Sequence, residues 1–152
     1  MEIEISEIHE GDLVMLQQLF LSVRRDTFDW LDTLDYKLED FNEQTVNEFI
    51  LVARHDNIVI GFISLWLPDS FIHHLYIKNE YQATGVGTAL LQRIKNIVTP
   101  PIRLKCLKKN EIALSFYKRN GFEEKENGVG PEGEFSILQF VEQYSDSLNF
   151  FT

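Results

Sequence analysis

Two stretches of the chain hold residues whose types and spacing could do chemistry. The first, Ile72 to Lys95, reads "IHHLYIKNEYQATGVGTALLQRIK": an apolar strand pattern runs into a Gly-x-Gly turn and leaves it as a helical pattern. Such a turn leaves main-chain N–H groups unpaired at a helix start, where they and the helix dipole attract an anion. Gly85 and Gly87 allow the main chain to approach a bulky phosphate closely. Just upstream stand His73 and His74, imidazoles that ordinarily titrate near ~6.5 and can accept a proton. The second stretch, "NEIALSFYKRNGFEE", starts at Asn110 and carries the phenol of Tyr117 beside Phe116. A phosphate ligand and a proton transfer are the chemistry these residues suggest.

Two familiar phosphate motifs fail. A P-loop needs a lysine and a hydroxyl residue after its last glycine, but Gly87 is followed by Thr88. A dinucleotide fingerprint needs a third small residue where Leu90 stands. A bare Gly-x-Gly also occurs where a strand merely ends.

These residues must be held by a mixed α and β framework. "IEISEI" alternates as a first strand; Leu13, Leu16, Leu19, Phe20 and Val23 then form one helical stripe, with Asp12 as its expected cap. The aromatic, acidic "RRDTFDWLDTLDYKLEDFNEQ" predicts a broken or second short helix. "EFILVARHDNIVIGFISLWL" reads as two strands joined at "HDN", and "FIHHLYI" as a third. A helix through Val86, Leu90 and Ile94 closes at Pro100-Pro101. A strand "IRLKCL", a helix from Asn110 to Asn120-Gly121 and a last strand "FSILQFV" follow. Consecutive strands argue against an all-parallel sheet, so the expected class is mixed α+β. The expected domain spans residues 1–142, with a loosely ordered tail at 143–152.

The 152 residues suit one domain, with 44% hydrophobic and 25% charged residues. No apolar run could span a bilayer, and the acidic "MEIEISEIHEG" lacks the build of a secretory leader, so no membrane and a cytoplasmic location are expected. A formal charge of −10 argues against nucleic acid and weakly favours cationic partners. The lone cysteine, Cys106, reads as a half-buried inert thiol. His9, His55, His73 and His74 have no zinc-site spacing, so no metal is expected.

The longer strings are more specific than the glycines alone. Gln82-Ala83-Thr84-Gly85-Val86-Gly87 resembles the acyl-CoA-binding motif Gln/Arg-x-x-Gly-x-Gly/Ala of the GNAT N-acetyltransferase superfamily, and Asn110, Ala113, Phe116-Tyr117 and Gly121-Phe122 resemble its later segment. The resemblance implies the GNAT fold with a central, mostly antiparallel mixed sheet flanked by helices, acetyl-CoA as co-substrate, and direct acetyl transfer to an amine of unknown identity. It implies that Gln82 through Thr88 hold the pyrophosphate, and that the pantetheine arm pairs with the main chain of Leu75, Tyr76 and Ile77. A bulge there would free an N–H to polarise the thioester carbonyl. Asn110 would bond the arm or simply cap its helix, Phe116 would line the cofactor, and Tyr117 would protonate the departing thiolate or merely pack.

Either His73 or His74 is a candidate base; alternation puts them on opposite faces unless a bulge intervenes. The resemblance also makes Phe28, Trp30 and Trp66, with Asp29 or Asp32, candidate contacts for a cationic acceptor, with Phe28 and Trp30 equally readable as helix core. Arg24 and Arg25 are expected to be solvated, as are Lys105, Lys108 and Lys109. A monomer or homodimer is expected. The competing reading is a GNAT-like module that binds acyl-CoA and transfers nothing; a different acyl donor is a third.

Overall fold

The computed structural model describes residues 1–141; the expected tail at 143–152 lies outside the described residues. The strands are β1 (Glu4–Glu7), β2 (Phe49–His55), β3 (Ile58–Trp66), β4 (Phe71–Ile77), β5 (Ile102–Leu107), β6 (Glu123–Gly130) and β7 (Gly133–Phe140). They form one sheet in the order β1-β2-β3-β4-β5-β7-β6. Every pairing in it is antiparallel except β4 with β5.

Alternation gives this sheet two apolar faces. On one face Ile50, Val52 and Phe62 pack against the stripe Leu16, Leu19, Phe20 and Val23 of α1 (Leu13–Thr27) and against Phe41 of the short α2 (Asp40–Gln44). Phe20 meets Phe41 and Phe62 edge to face, with ring centroids 6.0 and 5.9 Å apart. On the other face Leu51, Ala53, Ile63 and Leu65 pack against Val86, Leu90, Leu91 and Ile94 of α3 (Val86–Ile97) and Tyr117 of α4 (Glu111–Arg119). No helix of the described residues is long and apolar enough to cross a membrane.

The expected α+β sheet is the one found, with two local differences. The sequence pattern ends on one strand, whereas the structure ends on the β6–β7 hairpin. β6, "EEKENGVG", carries no apolar alternation because it is the outermost strand and most of its residues face water. Asp12 precedes α1 but its side chain makes no capping bond to that helix. Its carboxylate is instead buried against the Arg54 guanidinium of β2 and accepts the His9 N–H at 2.7 Å.

That ion pair ties the entry of α1 to the sheet. Burial works to raise the Asp12 pKa, but the Arg54 and His9 bonds outweigh it and hold the carboxyl below its ordinary 3.8. The stabilisation is therefore present above that ordinary value and is lost as pH falls through the depressed one. Asp12→Ala would strand a buried guanidinium and is expected to cost about 3 kcal/mol in urea unfolding at neutral pH; a loss below about 1 kcal/mol, the scale of an exposed pair, would contradict this role.

Candidate functional site

The sheet parts at its centre. β4 and β5 pair only through Phe71 with Arg103 and Ile72 with Leu104, and beyond Ile72 the two strands separate. Lys78 N–H bonds Ile60 O at 2.8 Å, so alternation turns the main chain of Tyr76 and His74 toward β3 and that of Leu75 and Ile77 toward the gap. Gln82 Nε2 donates to Ile77 O at 3.0 Å and so closes the far end of that open edge.

Beyond it lies the glycine turn. Ala83 and Gly85 have φ of 61° and 95°, and a Cβ at Gly85 would meet nothing within 4 Å. The turn therefore faces open space. Ala89 N–H, bonded to Gly85 O at 3.0 Å, starts the helical ladder, so the N–H groups of Gly85, Val86, Gly87 and Thr88 have no intrahelical acceptor. Val86 buries its side chain and offers only main chain. Gly87 has a different role. A Cβ there would stand 2.9 Å from Phe116 Cζ, so Gly87 lets α3 and α4 pack closely. Phe116 thus serves this packing, and Gly85 is the position at which the anion turn is best tested.

A cleft of about 590 Å³ opens where β4 and β5 separate. His73, His74, Leu75, Tyr76, Asn110 and Tyr117 all line it. Asn110 also accepts Ala113 N–H at 3.3 Å as the cap of α4. Tyr117 is buried between Phe116 and Phe122, and desolvation pushes its pKa well up, so the phenol stays protonated at neutral pH. Cys106 also borders the cleft, where burial pushes its thiol up to about 11 and leaves it inert.

Sequence alternation separates His73 from His74, but the register does not. Ser64 pairs with His74 and the next residue, Leu65, with Ile72, so His73 is the extra residue of a bulge. The sequence resemblance suggested a bulge near Leu75 to Ile77; it lies upstream at His73. Both imidazoles now approach Glu48, just before β2. His73 Nδ1 lies against Glu48 Oε2, and His74 Nδ1 lies 3.9 Å from Oε1. His74 Nδ1 is also 2.8 Å from Ser64 Oγ. Burial first, then the charges of His73 and Arg24, lower the His74 pKa to about 4.

Glu48 is the residue the sequence did not expose. It sits in an unremarkable turn, and only the β2–β3–β4 register brings it to the histidines. Arg24 overturns a second expectation. It is buried rather than solvated, stacks 3.8 Å over Phe20 and 4.4 Å over Tyr36, and pairs with Asp40 at 3.2 Å. Arg25 is exposed, and Lys105 lies 4.7 Å over the Phe135 ring at the cleft edge. Phe28 lines the cleft and Trp30 packs edge-on behind it at 5.6 Å. Trp66, at the end of β3, is outside the cleft lining, because its strand has passed the gap by that point.

Comparison with known proteins agrees with this fold. Residues 46–124 match the family model described as an acetyltransferase (GNAT) domain. A spermidine N(1)-acetyltransferase of Thermoplasma acidophilum is 28% identical over 147 residues, covering 80% of this chain and 89% of the relative. The crystal structure of PaiA N-acetyltransferase from the same organism, in complex with coenzyme A, aligns at TM-score 0.78 and 22% identity, over 93% of this chain and 100% of that one. Apo-form YjaB from Escherichia coli aligns at TM-score 0.76 and 23% identity, over 93% and 99% of the two chains.

The low pKa of His74 has a measurable consequence. Between pH 6.5 and about 4 the unfolded chain binds a proton at His74 that the folded chain refuses, so stability must fall as pH drops through that window. At ~1.36 kcal/mol per pH unit the loss approaches roughly 3 kcal/mol. Unfolding measured from pH 7 to 4 is expected to show it, and His74→Gln to flatten the curve; an equally steep curve in the variant would contradict the assignment.

Proposed function

Because the chain belongs to the GNAT acetyltransferase family, we propose that it transfers an acetyl group from acetyl-CoA to a cationic amine by direct attack within the β4–β5 cleft. The observation that carries this is the open main-chain edge of Leu75 and Ile77, which runs toward the N–H groups of Gly85 to Thr88, none of which has an intrahelical acceptor.

Each part of the co-substrate has a chemically suited surface. The four free N–H groups at the start of α3 would hold the pyrophosphate. Gln82, Ala83 and Thr84 shape that turn rather than contact the ligand with charge: Gln82 also bonds Asn79 Oδ1 at 3.1 Å, and Thr84 Oγ1 bonds Tyr81 O. The pantetheine amides would pair with Leu75 and Ile77 as a further strand pairs with a sheet edge, with Tyr76 held between them by its bonds to β3. Asn110 stands across the cleft to take a polar group of the arm. The thioester would then lie between the bulge and Tyr117.

The chemistry follows from the groups placed there. One of His73 and His74 takes a proton from the incoming ammonium, main-chain N–H beside the bulge polarises the carbonyl, and Tyr117 passes a proton to the departing thiolate. Tyr117 is a weak acid in this site, so its contribution depends on exclusion of water as the thiolate forms.

Arg24, which also lines the cleft, is paired with Asp40, while Phe28, Tyr36 and Glu132 offer a cation aromatic faces and a carboxylate. Similarity to a spermidine N(1)-acetyltransferase supports an acceptor of this class. Trp30 supports Phe28 from behind.

Acetyl-CoA at about 100 times its dissociation constant is expected to raise unfolding stability by roughly 2.7 kcal/mol. Gly85→Val, which forces a β-branched residue to positive φ, is expected to remove most of that increment; an unchanged increment would refute the placement of the phosphate site. Tyr117→Phe is expected to lower kcat about a hundredfold with KM for acetyl-CoA little changed. An unaltered kcat would reduce Tyr117 to a packing residue.

A further inference from the structure

We propose that Glu48 is the positioning residue of the acceptor base: it holds His73 by Nδ1, so that His73 Nε2, and not His74, takes the proton from the acceptor ammonium. The inference rests on the transferase reading above.

Three observations carry it. Glu48 comes from the turn before β2, two strands from β4, yet its side chain is only 3% exposed and is aimed at the bulge. Its Oε1 is buried without a hydrogen-bond partner while Oε2 is paired with His73 Nδ1. A buried carboxylate is costly unless it is paired and hydrogen-bonded, and here the partner is His73. Second, the bulge makes His73 the unpaired residue of β4. Without it the alternation of the strand would put His73 on the face opposite His74 and Glu48. Third, the two imidazoles differ in access. The His73 side chain is 42% exposed at the cleft, while that of His74 is 11% exposed and its Nδ1 lies against Ser64 Oγ. His74, held neutral down to about pH 4, is too weak a base for an ammonium.

A carboxylate that accepts from Nδ1–H fixes the imidazole tautomer and leaves Nε2 with its lone pair free. The acceptor ammonium gives one proton to His73 Nε2, and the freed lone pair attacks the thioester carbonyl carbon. The C–N bond forms, the C–S bond breaks, and the thiolate takes the second N–H proton through Tyr117. His73 then returns its proton to water. Glu48 gains and loses no proton in this sequence; it stabilises the imidazolium while it exists.

The test joins a spectroscopic readout to a mutant cycle. In nitrogen–proton correlation spectra of the whole protein, neutral His73 is expected as the Nδ1–H tautomer, and Glu48→Leu is expected to lose that preference. In amine acetylation assays, Glu48→Leu and His73→Gln are each expected to lower kcat/KM about a hundredfold, and the double variant no further than the worse single one. Stabilisation by acetyl-CoA is expected to survive in all three variants. An Nε2–H tautomer in the unmodified protein, or losses that multiply in the double variant, would overturn this inference while acetylation by the parent protein left the transferase reading standing. Binding of acetyl-CoA without acetylation of any amine by the parent protein would overturn the transferase reading and this inference with it.

Discussion

Everything in this site depends on two strands that pair for two residues and then stop. A parallel pair ordinarily consumes the main-chain groups on the facing edges of both strands. Here Phe71 and Ile72 are paired to β5, and the edge groups of Leu75 and Ile77 are not. Unpaired main chain within a sheet is costly unless solvent or a ligand pairs with it. The gap therefore provides a slot of fixed direction, lined with donors and acceptors at strand spacing, that ends at the start of α3.

The surrounding packing keeps the slot open. α3 is anchored under the sheet by Val86, Leu90 and Ile94, and its close approach to Phe116 at Gly87 fixes α4 across the cleft. A Cβ at Gly61 would stand 2.7 Å from Ile77 Cδ1, so the missing side chain of β3 lets Ile77 settle against it and orients the end of β4. Tyr117 and Asn110 are thereby carried to the wall facing β4 as the buried side chain and the cap of α4. On the opposite face the Phe20, Phe41 and Phe62 cluster packs beside Arg24, His74 and Tyr76, which line the cleft. The electrostatics follow from burial: Asp40 answers Arg24, Glu48 answers His73, and His74 is left neutral.

Much of this was legible in the chain because it is encoded locally. Strand alternation, the α1 stripe and the Gly85 turn each depend on neighbours within a few residues, and the motif Gln82 to Gly87 carries its backbone requirement in its glycines. The missing parts were those set by distant segments. β6 has no apolar pattern because an edge strand with a wet face needs none. Asp12 and Arg24 look like surface charges in sequence and become buried only through Arg54 and Asp40. The shared side of His73 and His74 depends on one extra residue in a register, and Glu48 reaches them only because β3 lies between its strand and theirs.

The most direct measurement is amide hydrogen exchange, residue by residue, with and without acetyl-CoA. The account predicts new protection at Leu75 and Ile77 and at Gly85 through Thr88, with little change at Tyr76, whose N–H is already spent on β3. Protection confined to other segments, or none at the open edge of β4 under saturating acetyl-CoA, would contradict it.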